Sequence, residues 1–287
     1  MPAEVPDRPP AGVPRCAVLG DPIAHSLSPT LHRAGYAALG LDWRYDAVRV
    51  PAGGLTAFLD GIAEDPSWRG LSLTMPLKRE VLDLVPHRDP RVELAGGANT
   101  VVLARDGRPT RLDNTDLPGA VAAVAERHDA PLTAATILGA GATAASTGLA
   151  AVERGARRLR LIARDAERAA PTAAVLRAHP AAPVVEVLGL DARPVGELLI
   201  STVPAGAQDD ALVARCAQVP VVFEVVYHPW PTPLAAAALA DGRALVSGLD
   251  LLVHQAALQF TLFTGVPAPL AAMRAAGEAD LAARTEG

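Results

Sequence analysis

Lys78, at the end of Gly70-Leu-Ser-Leu-Thr-Met-Pro-Leu-Lys78, is the only lysine in a chain whose lysines and arginines together number 26. Arginine stays charged in proteins, whereas a lysine in a dry pocket can give up its proton near neutral pH and act as a general base. The bland alternative is a coding bias toward arginine that left one surface lysine behind. The neighbours favour chemistry. Gly70 to Thr74 reads as a short strand that Pro76 ends. Thr74 and Lys78 then fall at a strand-to-helix turn, where open α/β sheets hold their ligands.

Other residue types point to anion and hydroxyl binding. In Gly20-Asp-Pro-Ile-Ala-His-Ser-Leu-Ser-Pro, Ser28-Pro29 predicts a helix start with Ser28 as N-cap and proline at the first helical position. Ser26 and Ser28 then set two hydroxyls beside a helix N-terminus, where free N–H groups and the dipole favour an anion. Asp106-Gly107 is a hairpin signal between strands Asn99 to Ala104 and Arg108 to Asp113. A two-residue turn there places Asn99 opposite Asn114 and brings Asn99 and Asp116 to one end of the ribbon. Alone, Asn114-Thr115-Asp116 reads as a solvated loop. In the helix predicted over Leu249 to Thr264, Leu251, Gln255, Leu258 and Leu262 share a face, so Gln255 interrupts an apolar stripe and needs polar partners there.

A third group concerns a nucleotide. Gly139-Ala140-Gly141-Ala142-Thr143-Ala144 follows a strand and opens a helix, which fits the G-x-G-x-x-G/A dinucleotide fingerprint. The next strand, Leu159 to Ala163, ends on Arg164, with Arg168 one helical turn later. Sites for NAD place a carboxylate there for the ribose hydroxyl, whereas arginine suits the 2′-phosphate of NADP. The carboxylate present, Asp165, reads as the N-cap of the following helix, which occupies its oxygens. NADP is therefore the expected cofactor, with NAD the alternative.

These residues need elements to hold them. Half of the 287 residues are apolar and 20% are charged, which excludes disorder and allows two domains with real cores. A net charge of −5 argues against nucleic-acid and anionic-membrane surfaces. No histidine–cysteine cluster has metal-ligand spacing, and Cys16 and Cys216 lie far apart, as in a reducing cytoplasm. Residues 1–14 read as a flexible tail, without the apolar core of a signal peptide. The uncharged run Ala130 to Val152 is long enough to span a bilayer, but its Gly-Ala-Thr centre reads better as a buried strand, turn and helix. From about Leu117 strands alternate with Ala-rich helices, the grammar of a doubly wound parallel sheet.

Several motifs in order resemble the shikimate dehydrogenase family from Val18 onward: Gly20-Asp-Pro-Ile-Ala-His-Ser-Leu-Ser-Pro, the Lys78 stretch, Gly97-Ala-Asn-Thr-Val, Asp113-Asn-Thr-Asp116, Gly139-Ala-Gly-Ala, Tyr227-His-Pro-Trp-Pro-Thr-Pro-Leu and Gly248-Leu-Asp-Leu-Leu-Val-His-Gln255. The resemblance implies an α/β substrate domain over 15–116, a Rossmann domain over 117–247 that binds NADP, and C-terminal helices over 248–287 that return to the substrate domain. It makes Lys78 and Asp116 the catalytic pair in reversible, NADP-dependent oxidation of shikimate to 3-dehydroshikimate. Ser26 and Ser28 would hold the substrate carboxylate, and Thr74, Asn99, Tyr227 and Gln255 the ring hydroxyls. Gly139, Ala140, Gly141, Ala142 and Thr143 would cradle the pyrophosphate, Arg164 and Arg168 the 2′-phosphate, and Val225 and Gly248 would approach the nicotinamide. The implied protein is a cytoplasmic monomer or homodimer acting on a small molecule, with no metal. Arg33, Ser72, Ala163, Asp165 and His228 stand where the family usually has other residues. They leave open a quinate or amino-shikimate enzyme using NAD, and from another class a metabolite sensor of the same fold.

Overall fold

The computed structural model describes residues 12–286. Residues 1–11 of the expected tail lie outside the described residues. The chain divides into two compact units, one comprising the residues up to Thr115 and again from Gln255, the other Asp116–His254.

In the first unit the order is β1 (Arg15–Gly20), α1 (Ser28–Ala38), β2 (Arg44–Arg49), α2 (Leu55–Ile62), β3 (Trp68–Leu73), α3 (Leu77–Glu80), a turn of 3-10 helix (Val81–Asp83), α4 (Pro90–Ala95), β4 (Thr100–Leu103) and β5 (Pro109–Asp113). Its sheet runs β2-β1-β3-β4-β5. The first three strands are parallel and the last two antiparallel. Every residue of β1 is buried, as a central parallel strand covered on both faces should be. The core gathers Leu19, Phe58, Leu71, Val101 and Leu112 around Trp68. Phe58 meets Trp68 edge-on at 5.8 Å and the Arg15 guanidinium lies 4.3 Å over the same indole. Such ring contacts add roughly 0.5–1.5 kcal/mol beyond burial.

The hairpin of β4 and β5 pairs Thr100 with Asp113, the register that sets Asn99 opposite Asn114. Its tip differs from the expected two-residue turn. Ala104 N–H bonds to Arg108 O around a three-residue loop in which Gly107 has φ 80, and the register shifts by one beside it. The left-handed Gly107 closes that loop, and the shift in register falls between Val102 and Leu103. The helix α4 was not expected from hydrophobic periodicity. Its signals were local: Asp89 caps it through Arg91 N, Pro90 starts it, and left-handed Gly96 stops it.

The second unit contains α5 (Asp116–Arg127), β6 (Ala134–Leu138), α6 (Ala142–Glu153), β7 (Arg158–Ile162), α7 (Ala166–Arg177), β8 (Val184–Leu188), β9 (Leu198–Ser201), α8 (Asp210–Cys216), β10 (Val221–Glu224), α9 (Pro233–Ala240) and β11 (Ala244–Ser247). Its six strands lie in the order β11-β10-β9-β6-β7-β8, all parallel. That is the doubly wound order in which the chain reverses direction beside its first strand, here β6, and the crevice at that switch point is where a nucleotide binds. The run Ala130 to Val152 is divided between β6 and α6, and among the described residues no helix is long and apolar enough to cross a membrane.

Two long helices end the chain, α10 (Gly248–Thr264) and α11 (Leu270–Glu286). The division between units falls within α10, between His254 and Gln255. In the first unit, α10 lies against β3 at Gly70, where an added Cβ would sit 2.1 Å from the Phe263 ring. Helix α11 packs on α1, joined to it by Thr30 Oγ1 donating to Asp280 at 2.6 Å.

Candidate active site

Strand β3 delivers Thr74 and Lys78 to one turn. Thr74 N–H bonds to Leu19 O at 2.9 Å, and Leu77 N–H returns to Thr74 O at 2.9 Å. Lys78 is the second residue of α3, half-buried, and its carbonyl accepts from Ala98 N at 2.8 Å. Four residues would be a marginal helix in isolation. Glu80 supplies the missing support. Its two carboxylate oxygens accept from Gly53 N at 2.9 Å and Leu55 N at 3.0 Å, so the side chain caps α2 while anchoring α3.

Beside Ala98 lies a buried polar cluster. The Asn99 oxygen Oδ1 accepts from Thr115 N at 2.8 Å and from Thr100 Oγ1 at 2.9 Å. Its Nδ2 donates to Thr115 Oγ1 at 2.9 Å and Gln255 Oε1 at 3.0 Å. Asn114 Nδ2 donates to Gly97 O at 2.8 Å. Asn114, Thr115 and Asp116 are all buried, which corrects their reading as a solvated loop: Asn114 and Thr115 exchange water for fixed partners. The α10 stripe also needs correction. Leu258 is 38% exposed, and the buried side carries Gln255, Ala256, Gln259, Phe260 and Phe263. Gln259 was missed. Its signal was a second amide one helical turn after Gln255.

The anion site at α1 is arranged differently from the expectation. Leu27 already has helical φ −85 and ψ −7, so Ser28 is the first helical residue rather than the cap. Ser26 Oγ instead accepts from Ser28 N at 3.3 Å. Ser28 is buried and faces the Tyr45 hydroxyl. The loop before it is tied to the Lys78 turn by Asp21 N donating to Met75 O at 2.9 Å, and to α11 by Arg284 donating to His25 O at 3.0 Å. Two of the unusual residues have structural duties of their own. Arg33 donates to Tyr45 O at 2.8 Å and pairs with Asp46 at 3.1 Å. Ser72 lies inside the core between Tyr45 and Gln259. The first unit thus gathers Thr74, Lys78, Asn99 and Gln255, with Ser26 and Ser28 on the adjoining loop.

In the second unit Asp116 opens α5, directly after Thr115 in the chain. The far end of α5 is fixed by Arg127, which pairs at 3.0 Å with Asp250 in the first turn of α10. Val225, Tyr227 and Gly248 converge: a Cβ on Gly248 would lie 2.1 Å from Val225 O and 3.3 Å from the Tyr227 Cβ. Glu224, fully buried, pins this loop at both ends, accepting from Val226 N at 3.1 Å and Thr232 Oγ1 at 2.9 Å, with Gln208 Nε2 at 2.8 Å. Burial raises its carboxyl pKa against the pull of these donors.

The glycine-rich turn after β6 fits a dinucleotide. Gly139 has φ +101, and an added Cβ would strike Thr202 Oγ1 at 2.3 Å. At Gly141 a Cβ would meet nothing within 4 Å, so the backbone there faces open space. Helix α6 begins at that point with no side-chain cap and no acidic residue in its first turn. Its N-terminal N–H groups and dipole suit a phosphate. Arg164 and Arg168 are exposed after β7, and among the described residues neither guanidinium is given to a carboxylate. Asp165 caps α7 as expected, accepting from Glu167 N at 2.9 Å and Arg168 N at 3.2 Å.

Residues 18–101 match the family profile described as Shikimate dehydrogenase substrate binding domain, and residues 248–276 that of the Shikimate 5'-dehydrogenase C-terminal domain. A relative from Sphingopyxis alaskensis named Shikimate dehydrogenase (NADP(+)) is 34% identical over 275 residues, covering 91% of this chain and 94% of its own. The chain belongs to the shikimate dehydrogenase family. Among solved structures, the shikimate dehydrogenase of Mycobacterium tuberculosis is similar at 37% identity and a TM-score of 0.83, covering 93% of this chain and 99% of that one. The quinate dehydrogenase of Corynebacterium glutamicum, solved in complex with NAD, shares the fold with a TM-score of 0.83 at 26% identity over 93% of this chain and 99% of that one. The two profiles cover the unit that holds Lys78, and the relatives' coverage of about nine tenths of the chain extends to the unit that holds the glycine-rich turn.

Proposed function

We propose that this chain is a shikimate dehydrogenase that interconverts shikimate and 3-dehydroshikimate with NADP. The observation that carries the reading is the surroundings of Lys78. The chain's only lysine is tethered through its own carbonyl to Ala98, next to the buried amides of Asn99 and Gln255, in a unit that matches the family's substrate-binding domain.

Ser26 and Ser28, at the start of α1, bind the substrate carboxylate, aided by the helix dipole. Thr74, Asn99, Tyr227 and Gln255 bind the ring hydroxyls. NADP, when bound, supplies the hydride acceptor or donor. Lys78 takes the proton from the hydroxyl oxygen that becomes the carbonyl and passes it to solvent; in reduction it returns a proton to that oxygen. Asp116 binds the neighbouring hydroxyl. The backbone of Gly139, Ala140, Gly141, Ala142 and Thr143 holds the pyrophosphate. Arg164 and Arg168 hold the 2′-phosphate, and the main chain at Val225 and Gly248 borders the nicotinamide. The buried thiols Cys16 and Cys216 fit a reducing cytoplasm, and the protein works there as a monomer or homodimer.

A second reading, quinate oxidation with NAD, is favoured by the likeness to the quinate dehydrogenase. Purified protein is mixed with shikimate or quinate and either cofactor, and the absorbance of reduced nicotinamide is followed. Turnover of shikimate with NADP is expected to dominate. Faster turnover of quinate with NAD would replace the reading, and no turnover with either would leave a binding protein of the same fold.

A further inference from the structure

Behind Asn99 and Gln255 runs a file of buried hydrogen bonds whose directions are all fixed. The Asn99 carbonyl is an acceptor only, so the Gln259 amide must present Nε2 to it, at 3.1 Å, and to Thr100 Oγ1, at 3.0 Å. Gln259 Oε1 then faces Ser72, which donates to it at 2.9 Å. Ser72 has spent its one proton and accepts from the Tyr45 hydroxyl at 2.6 Å. Thr100, already accepting from Gln259, gives its proton to Asn99 Oδ1 at 2.9 Å. With Thr115 N donating to the same oxygen, the Asn99 amide cannot flip without setting its NH2 against two donors. Its Nδ2 therefore points at Gln255 Oε1, and Gln255 turns its own NH2 to the opposite side. Tyr45, Ser72, Thr100, Asn99 and Gln259 are buried to within a few per cent, so water cannot reverse the order.

We propose that Gln259, backed by Ser72 and Tyr45, is a positioning residue that fixes the polarity of the Asn99–Gln255 pair, so that Gln255 meets its ligand as a donor and selects an acceptor oxygen. The inference rests on the proposed reading of this site as the one that binds shikimate. None of the three side chains is assigned to touch substrate. Removing Gln259 frees Thr100 to turn its proton elsewhere, so the Asn99 oxygen is held by Thr115 alone and the Asn99–Gln255 pair is less firmly set.

The test uses Gln259→Leu, Ser72→Ala and Tyr45→Phe in the full chain, with steady-state kinetics, calorimetric binding of shikimate without cofactor, and thermal unfolding. Gln259→Leu is expected to raise KM and Kd for shikimate about tenfold, the worth of one hydrogen bond's orientation. The effect should decline through Ser72→Ala to Tyr45→Phe with distance from Asn99, while KM for NADP stays unchanged in all three. Lower unfolding temperatures with shikimate KM and Kd unmoved would assign the file to stability alone and overturn the proposal. Should Gln259→Leu not fold, Ser72→Ala decides by the same criterion. A wild type that neither binds nor oxidises shikimate refutes the reading of the site, whereas an active wild type with unmoved variants refutes the positioning role alone.

Discussion

At the scale of the residue, the sharpest prediction is Lys78→Arg. Arginine keeps the charge and much of the length but stays protonated, so it can bind the ring hydroxyl and cannot accept its proton. A fall in kcat of about 10² to 10⁴ is expected, the usual worth of general acid–base catalysis, with KM for shikimate changed far less. Retention of most of the turnover would remove Lys78 from the proton path. Lys78 drew attention in the sequence through its rarity alone. Gln259 did not, because an amide on a helix is common and its importance lies in partners that come from β3 and β4.

At the scale of the element, α3 is too short to hold Lys78 by itself, and its anchor is Glu80. Glu80→Ala removes the cap of α2 together with the tether of α3. A stability loss of about 1 kcal/mol is expected from the cap, seen as a lower denaturant midpoint, along with a reduced kcat as the Lys78 turn loosens. Unchanged kcat at the expected stability loss would mean that α3 is held by its packing alone. On the cofactor side, Asp165 is occupied as the cap of α7, and Arg164 and Arg168 are the proposed partners of the 2′-phosphate. Arg164→Ala should lower kcat/KM for NADP about tenfold or more and leave that for NAD nearly unchanged, since a charged hydrogen bond to phosphate is worth roughly 1.5–3 kcal/mol. Equal losses with both cofactors would place Arg164 away from the 2′-phosphate.

For the whole molecule the prediction concerns acid. His32, fully buried and stacked on Tyr45 at 4.0 Å, is driven by burial from 6.5 down to about 3, with a smaller opposing pull from Gln259. Glu197 feels burial push its carboxyl up, but bonds from the Thr133 hydroxyl and from the N–H groups of Ala134 and Thr133 outweigh it and bring it from 4.5 to about 2. Both folded values lie below the unfolded ones. The unfolded chain therefore binds more protons, and stability falls as pH drops: from 6.5 toward 3 through His32, and from 4.5 toward 2 through Glu197. Thermal unfolding should move to lower temperature over that range. His32→Phe should flatten the upper part of the slope and Glu197→Gln the lower part, and a slope identical in both variants would point to other groups.

The sequence by itself determined what depends on neighbours along the chain. The second sheet was legible because strands, glycine turn and helices follow one another in βα units, and three of its strands, β8, β9 and β11, fall at the expected residues. The hairpin register and the capping role of Asp165 were likewise local. Only the tertiary structure decided matters that join distant segments. Whether Ser28 caps its helix turned on the backbone of Leu27 and on Tyr45 drawing the hydroxyl inward. Whether Thr115 is solvated turned on Asn99 from the other side of the hairpin and on Gln255 from α10. Hydrophobic periodicity records which side of an element avoids water. It holds no record of which buried donor meets which acceptor, since that pairing is fixed only when segments more than a hundred residues apart close on one another.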